Sequence, residues 1–396
     1  TGYLADTYRK MGMALSKKGN EDAAKECFHI AFEIFRKLED PRGFVDEMIG
    51  IVSKVFGGSE GFDELDAFYQ SLITKLERKK YIRGLADAYF AIGEIYSDRE
   101  AFFDQAIASF EQALSYFDLL QNSRGMAESY EKLGDIYRNM KRWDKAISTY
   151  TLAIPLFHEN HDDMRIGWST NWLGECYAQT GNWDHALQAY FSSRDIREKL
   201  GDFSGVAWSY LNIGQLYQSQ QKWGQAIPYF QNAVEYSVRS NNRSVIGWAN
   251  DHLGDVHLEL GDKEQSLYFF QEALKIRRQL PDKKLLCMNL TSVGEVFKKM
   301  GQWVEEISVL EEALYIAEGL NDIQEIADCY LNLGIANREQ NHLEEANRLF
   351  EAAKLYMMQS QNESGVVITT CALAEIHEAS YEWEKVTACY HDLLSI

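Results

Sequence analysis

Two stretches of the sequence contain residue types that bind metal ions. They read HENHDD, from His158 to Asp163, and DHLGDVH, from Asp251 to His257. Imidazole nitrogens and carboxylate oxygens are common zinc ligands, but neither stretch has the ligand spacing of a zinc site. We expect the first to be a polar loop between repeated units. We expect the second to line a solvated trough, where two carboxylates one helical turn apart need no cation. The sequence therefore predicts no metal ion and no cofactor.

The motifs of common catalytic sites are absent from the sequence. It contains no HExxH, no GxSxG and no glycine-rich phosphate-binding loop. Its six cysteines form no CxxC pair, and none stands out beside a histidine as a nucleophile with its base. We therefore expect a protein that is not an enzyme.

The chain carries a large negative charge that narrows the range of its partners. It has 396 residues, of which 60 are acidic and 40 are basic, for a formal net charge of −20. Because such a field repels phosphate backbones, we expect no nucleic acid partner and favour basic peptides or basic protein surfaces. No apolar run is long enough to span a bilayer, so we expect no membrane insertion. The cysteine usage favours reduced thiols and a cytoplasmic location, and the oligomeric state stays open.

A pattern of glycines repeats along the chain with a period of 40 residues. It reads LGDIY at 133, LGECY at 173 and IGQLY at 213, and continues without a slip. Gly12 and Gly93 extend the register towards the start, Ala374 extends it towards the end, and a degenerate copy surrounds Val52. Such a period is typical of a repeat architecture. The glycines in strict register are Gly134, Gly174, Gly214, Gly254, Gly294 and Gly334.

The register divides the chain into ten units of one continuous solenoid, 1–396. We expect a first unit at 1–42, a degenerate unit at 43–83, seven regular units over 84–364 and a last unit at 365–396. That last unit is expected to be truncated or to be closed by a partner. The chain starts at Thr1 without methionine or a signal peptide, which suggests a piece of a longer protein.

Each unit contains two amphipathic helical patterns, so we predict an all-α fold. Apolar residues recur at helical spacing around the glycine, as in Tyr210, Ile213 and Tyr217, and a second run follows the turn, as in Ala226 and Phe230. Small and large residues alternate in matching columns, which suits two helices that cross closely. The glycine is a poor helix former that is tolerated where the partner helix crosses.

These residues resemble the tetratricopeptide repeat, a family of paired antiparallel helices. The glycine, aromatic and alanine columns carry the resemblance over the full chain. The resemblance implies a right-handed superhelical solenoid that binds other proteins. Two features depart from the family: its unit has ~34 residues, whereas this one has 40, and the closing proline is missing. Units of this length are similar to those of Pins/LGN polarity adaptors, kinesin light chains, Rap-type peptide sensors and the sensor domains of STAND signalling ATPases.

Nine tryptophans fall mainly into two columns of the repeat. The first column lies nine residues after the glycine, in the turn, where a large ring can seal the loop against the second helix. Trp172 lies outside both columns, and a binding role and a structural role both stay open for it. The turn column comprises Trp143, Trp183, Trp223, Trp303 and Trp383.

The second column lies six residues before the glycine and contains Trp168, Trp208 and Trp248. Since each helical residue turns about 100°, this column faces away from the core stripe. In tetratricopeptide-like stacks that side of the first helix lines the concave groove. Three tryptophans on such a face predict a covering partner. The alternative is that they pack against the neighbouring first helix and only stiffen the stack.

Acidic residues border this tryptophan column. We predict that they create an acidic groove for a basic or amphipathic peptide or helical segment. The alternative is that they pair with Arg138, Lys298 or Arg338, or are simply solvated. A second hypothesis for the whole chain is a peptide- or protein-sensing module that controls an attached effector domain. The candidate partner-binding residues are Trp168, Trp208, Trp248, Asn171, Asp251, Glu131, Asp135, Glu175, Gln215, Asp255 and Glu295.

Overall fold

The computed structural model describes residues 2–55 and 62–395, and the side chains of 2–50 and 66–394. Over these residues the chain forms α-helices, one short 3-10 helix at Glu100–Phe102 and no strand, so the predicted all-α class is confirmed. The helices are α1 Gly2–Lys17, α2 Glu21–Arg36, α3 Val45–Val55, α4 Phe62–Arg78, α5 Ile82–Ser97, α6 Phe103–Leu119, α7 Ser123–Asn139, α8 Trp143–Glu159, α9 Asp163–Gln179, α10 Trp183–Lys199, α11 Phe203–Ser219, α12 Trp223–Arg239, α13 Arg243–Glu259, α14 Lys263–Arg277, α15 Lys283–Met300, α16 Trp303–Leu320, α17 Ile323–Glu339, α18 Leu343–Gln359, α19 Glu363–Ala379 and α20 Trp383–Ser395.

The helix starts follow the 40-residue period of the glycines. From α7 onward the odd-numbered helices are the first helices of the repeats, and they begin at 123, 163, 203, 243, 283, 323 and 363. Each follows an Asn or Asp whose side chain accepts a hydrogen bond from a backbone N–H of the first turn. Such N-caps contribute about 1 kcal/mol each to helix stability. The same signal therefore starts every one of these helices.

The HENHDD stretch follows this rule. His158 and Glu159 end α8, His161 has a left-handed φ of 55° in the turn, and Asp162 is the N-cap of α9. Its carboxylate accepts the N–H of Arg165 at 3.1 Å. The acidic and polar residues of this stretch are therefore accounted for by helix termination and capping.

The chain forms two compact units, residues 1–200 and 201–396. We call them unit 1, which contains α1–α10, and unit 2, which contains α11–α20. Consecutive helices form hairpins from α5–α6 to α9–α10 in unit 1, as do α1 and α2, and from α11–α12 to α19–α20 in unit 2. Within each unit the second helix of such a hairpin also packs on the helix that follows it. That both units form one continuous solenoid with the predicted boundaries stays a prediction. Part of the degenerate unit, residues 56–61, lies outside the described residues.

The repeat glycines allow the two helices of a hairpin to cross closely. A Cβ added to Gly214 would lie 2.5 Å from Cε1 of Phe230, and one added to Gly254 would lie 2.8 Å from the ring of Phe270. Real Cβ atoms do not approach that closely, so the predicted reason for the glycine column is confirmed. Phe230 and Phe270 are buried in the core, and burial of such a ring contributes about 1.5–3 kcal/mol.

None of the helices within residues 2–55 and 62–395 is long and apolar enough to cross a membrane.

Candidate partner-binding site on the first helices

In unit 1 the candidate site is built around Trp168 on α9. Its side chain is 37% exposed. The guanidinium of Arg197 lies over the indole, 4.2 Å from its centroid, and Trp172 stacks on it at 6.4 Å. The guanidinium of Arg138 lies over Trp172 at 3.9 Å. Two arginines and two indoles therefore form one ladder that holds Trp168 in place.

Arg197 reaches Trp168 from α10 because residue 167 is glycine. Arg197 is fully buried. A Cβ on Gly167 would lie 3.0 Å from Cγ and 3.2 Å from Nε of Arg197. The absence of that Cβ makes room for the arginine stem beside the first helix. The buried guanidinium of Arg197 and the partly exposed indole of Trp168 are therefore in direct contact.

The acidic candidates of unit 1 contact partners within the protein. Glu131 accepts hydrogen bonds from Arg165 at 2.7 Å and from Ser169 at 3.0 Å. Glu175 pairs with Arg138, with 2.9 Å between Nη1 and Oε2. This is the arrangement of the alternative interpretation, in which groove acids pair with arginine.

Two further candidates of unit 1 are held by local contacts. Asp135 accepts the hydroxyl hydrogen bond of Tyr150 at 2.6 Å, and burial raises the pKa of its carboxyl. Asn171 is only 2% exposed, so this conformation does not present it to a partner. Trp168, Asp135 and Glu175 are therefore the partly exposed candidates of unit 1, and both acids have partners within the protein.

In unit 2, Trp208 on α11 and Trp248 on α13 are partly buried and pack against the hydrophobic core. The surroundings of Trp248 are similar to those of Trp168 in unit 1, with a histidine in place of the second indole. The guanidinium of Arg277 lies over its ring at 4.8 Å, and His252 stacks on it at 6.5 Å. His252 also stacks on Phe230 with centroids 5.1 Å apart. These tryptophans thus pack against the core, as the structural alternative predicts, and stay partly exposed, while their partner-binding role remains a prediction.

The two polar neighbours of Trp248 that were predicted as candidates are part of a network within unit 2. The side-chain nitrogen of Gln215 lies 2.8 Å from Nε2 of His252. Burial, followed by the charge of Arg277, lowers the pKa of His252 to about 4, so this imidazole is neutral at pH 7. Asp251 forms an ion pair with the buried Arg277 and accepts a hydrogen bond from Asn289 at 2.6 Å. Burial nevertheless raises the pKa of Asp251 to about 6.

Asp255 and Glu295 are the two remaining acidic candidates of unit 2. Burial, followed by the charges of Asp251, Glu295 and Glu259, raises the pKa of Asp255 to about 7. The imidazole of His252 lies beside it, with 3.9 Å between Nδ1 of His252 and Oδ2 of Asp255. Glu295 pairs with Lys299 at 3.1 Å, and its side chain is more than half exposed. An external cation near Asp255 would relieve this accumulation of like charge.

Sequence reasoning missed Arg197 and Arg277. Both lie 23 residues after the repeat glycine, at a position that contains Phe157, Ser237 and Met357 in other repeats. The signal was present: IGW occurs at 166–168 and at 246–248, and an arginine follows each glycine of these motifs by 30 residues. Because arginine is rarely buried, the sequence did not lead us to expect Arg197 and Arg277 in the core.

The turn tryptophans each begin a second helix, but only some of them seal it. Trp143 packs against the core of unit 1, and Trp223 packs against the core of unit 2. In contrast, Trp183 is 39% exposed and Trp383 is 60% exposed. The expectation of a sealing ring is therefore wrong for Trp383, which is mostly exposed, whereas Trp183 is still largely covered.

Family comparison identifies the repeats. One tetratricopeptide repeat model matches residues 125–199 and 205–279, and a second matches residues 326–354. No curated protein is similar enough in sequence to match the chain.

Three solved structures share the fold. The STAND protein with a tetratricopeptide repeat sensor from Pyrococcus horikoshii has a TM-score of 0.62 at 16% identity, over 87% of this chain and 54% of that one. Aspartyl phosphate phosphatase F from Bacillus subtilis has a TM-score of 0.56 at 14% identity, over 90% and 93%. A Rap protein in complex with Competence and Sporulation Factor has a TM-score of 0.50 at 15% identity, over 96% and 99%. At these identities the likeness shows the fold alone, and this chain spans about half of the STAND protein.

Proposed function

Because the chain is a tetratricopeptide-repeat protein, we propose that it is a non-enzymatic scaffold that binds a peptide or helical segment of another protein. The contacts would be made by the first helices: Trp168 in unit 1, and Trp208 and Trp248 in unit 2. The observation that carries the proposal is the exposure of Trp168, which is 37% although the ring is fixed by stacking. An indole that is held rigid before binding loses little conformational entropy on binding, which favours affinity.

The charge around these residues supports a narrower version of the acidic-groove hypothesis. Arg165 and Arg138 neutralise Glu131 and Glu175 in unit 1, so these acids attract a basic partner only weakly. In unit 2 burial and the neighbouring acids raise the pKa of Asp255 to about 7, so a nearby cation would favour the charged form of this carboxyl. We therefore propose that a basic residue of the partner docks near Asp255, and that the remainder of the contact is apolar.

A sensing role is the second candidate function. It is supported by the fold of two comparison structures. One is described as a STAND signal transduction ATPase with a tetratricopeptide repeat sensor, and the other as a Rap protein complexed with Competence and Sporulation Factor. In such a role the same surface would bind the signal and would control an effector domain. The phosphatase name of another fold relative does not transfer catalysis at 14% identity.

Capture of partners by the intact chain tests the proposal. We expect wild-type protein to retain a specific partner from lysate of the source cells, identified by mass spectrometry, and Trp168→Ala to lose it. Trp383→Ala is the matched control, since that ring is also exposed but begins a second helix. Equal capture by wild type and both variants would show that this surface does not bind the partner.

A further inference from the structure

The same three-residue arrangement occurs twice in the protein. In unit 1 it comprises Gly167, Trp168 and Arg197, and in unit 2 it comprises Gly247, Trp248 and Arg277. In both, a buried guanidinium from the second helix lies over the indole of the first helix. The glycine beside the tryptophan is tightly packed in unit 1, where a Cβ would lie 3.0 Å from Arg197, and less so in unit 2, where it would lie 3.7 Å from Arg277. Trp208 occupies the equivalent position in the repeat between them, where the arginine is replaced by Ser237.

A guanidinium over an indole occupies the position that a ligand cation would take. Cations bind aromatic rings over the face, within about 6 Å of the centroid. Arg197 is 4.2 Å and Arg277 is 4.8 Å from its ring. Both arginines are fully or almost fully buried, so neither can move into solvent to make room. The indole surface that remains accessible still offers apolar contact.

We infer that Trp168 and Trp248 form two neutral subsites, which accept uncharged apolar side chains of the partner and disfavour its lysines and arginines. This specificity rests on the proposed function. Arg197 and Arg277 act as positioning residues, because each fixes its tryptophan and fills the cation position itself. The basic part of the partner is consequently directed away from the tryptophans.

Two small probes of the same shape test the selectivity without a known partner. Choline carries a quaternary ammonium, and 3,3-dimethyl-1-butanol is its neutral counterpart. Each is titrated into the full chain while the indole N–H signals are followed by 1H–15N NMR, with assignments from single Trp→Phe variants. We expect the neutral probe to shift the signals of Trp168 and Trp248 at lower concentration than choline does. An equal or stronger response to choline, or no response of either signal to either probe, overturns the inference.

Substitution of the arginine tests its role. In Arg197→Met the ring of Trp168 becomes available to a cation, and we expect choline to bind there roughly threefold more tightly, as for an exposed cation–π contact. Methionine is compatible with this position, since Met357 occupies it in another repeat. Arg194→Met is the control, because that guanidinium lies on the same helix but over Phe191, at 4.9 Å.

Thermal melting of each variant establishes that it is folded. If Arg197→Met unfolds, the double variant Asp251→Asn/Arg277→Met provides the same test at Trp248. The change at Asp251 is included because this carboxylate pairs with Arg277 and would otherwise lose its partner. A choline response that stays at the wild-type level in the folded variant overturns the role of the arginine. The outcome is separable from the proposed function: if the neutral probe binds but Trp168→Ala leaves partner affinity unchanged, only the proposed function fails.

Discussion

Single residues that depart from their column identify where the repeat has been modified. Glu306 on α16 is 1% exposed, at a position that contains alanine in four other repeats. Oε2 of Glu306 is buried and has no hydrogen-bond partner among the residues that the structure describes. Burial raises the pKa of Glu306 to about 7. A carboxylate in this environment is destabilising when it is charged. The alanines of the column are Ala146, Ala186, Ala226 and Ala346.

We predict that Glu306→Ala stabilises unit 2 at pH 8 by about 1–3 kcal/mol, since it removes a buried unsatisfied group. The pKa of Glu306 is higher in the folded chain than in the unfolded chain. Its favourable contribution is therefore present at low pH and is lost as the pH rises through about 7. The gain should shrink on acidification to pH 5. Urea unfolding at both pH values measures it, with the exposed Glu305→Ala as control. A gain of equal size at both pH values would contradict this explanation.

Substitution of Trp208 tests binding less cleanly than substitution of Trp168 does. It packs against the core of unit 2 together with Trp248, so truncation to alanine is expected to reduce stability as well as binding. Trp168 is the more exposed of these rings and gives the cleaner separation of the two effects.

At the scale of the helices, the close crossing within each hairpin depends on the glycine column. We predict that Gly214→Ala destabilises the fold by about 1–3 kcal/mol, because overpacking forces neighbouring groups to shift. The added Cβ would lie 2.5 Å from Phe230. Gly224 on α12 is the matched control: a Cβ there meets nothing within 4 Å, so Gly224→Ala should stabilise by up to about 1 kcal/mol. Thermal melting of both variants measures the contrast, and a similar effect of the two substitutions would contradict it.

The helices could be predicted from the sequence more completely than the site. Helix starts, the glycine crossing and the aromatic and alanine columns are local signals that recur every 40 residues. The partners of the acids are not local, since Arg138 reaches Glu175 and Arg165 reaches Glu131 across adjacent repeats. The burial of Arg197 also depends on a glycine 30 residues earlier. The pattern on one helix face therefore predicted that Glu131 and Glu175 bind a partner, whereas arginines of neighbouring repeats pair with both.

At the scale of the whole molecule, the net charge of −20 predicts that a basic partner binds more weakly as salt rises. Ion pairs within the protein decide which acidic residues contribute to this salt dependence. We expect Asp255→Asn combined with Glu295→Gln to slow association with a basic partner and to reduce the salt dependence. Glu175→Gln should change the association rate much less, since Arg138 neutralises that acid. Stopped-flow association at two salt concentrations compares the variants. An equal effect of the two changes would contradict the narrower acidic site.

The central claim is that the first helices bind a partner through tryptophans held in place by the fold. The most direct measurement is calorimetric titration of the captured partner's purified segment into wild type, Trp168→Ala and Trp383→Ala, with the melting temperature of each. Truncation of an aromatic anchor commonly costs on the order of 2 kcal/mol of binding, so the Kd of Trp168→Ala should rise by roughly thirtyfold. We expect its melting temperature to stay close to that of wild type and the Kd of Trp383→Ala to be unchanged. A wild-type Kd in folded Trp168→Ala would contradict the claim.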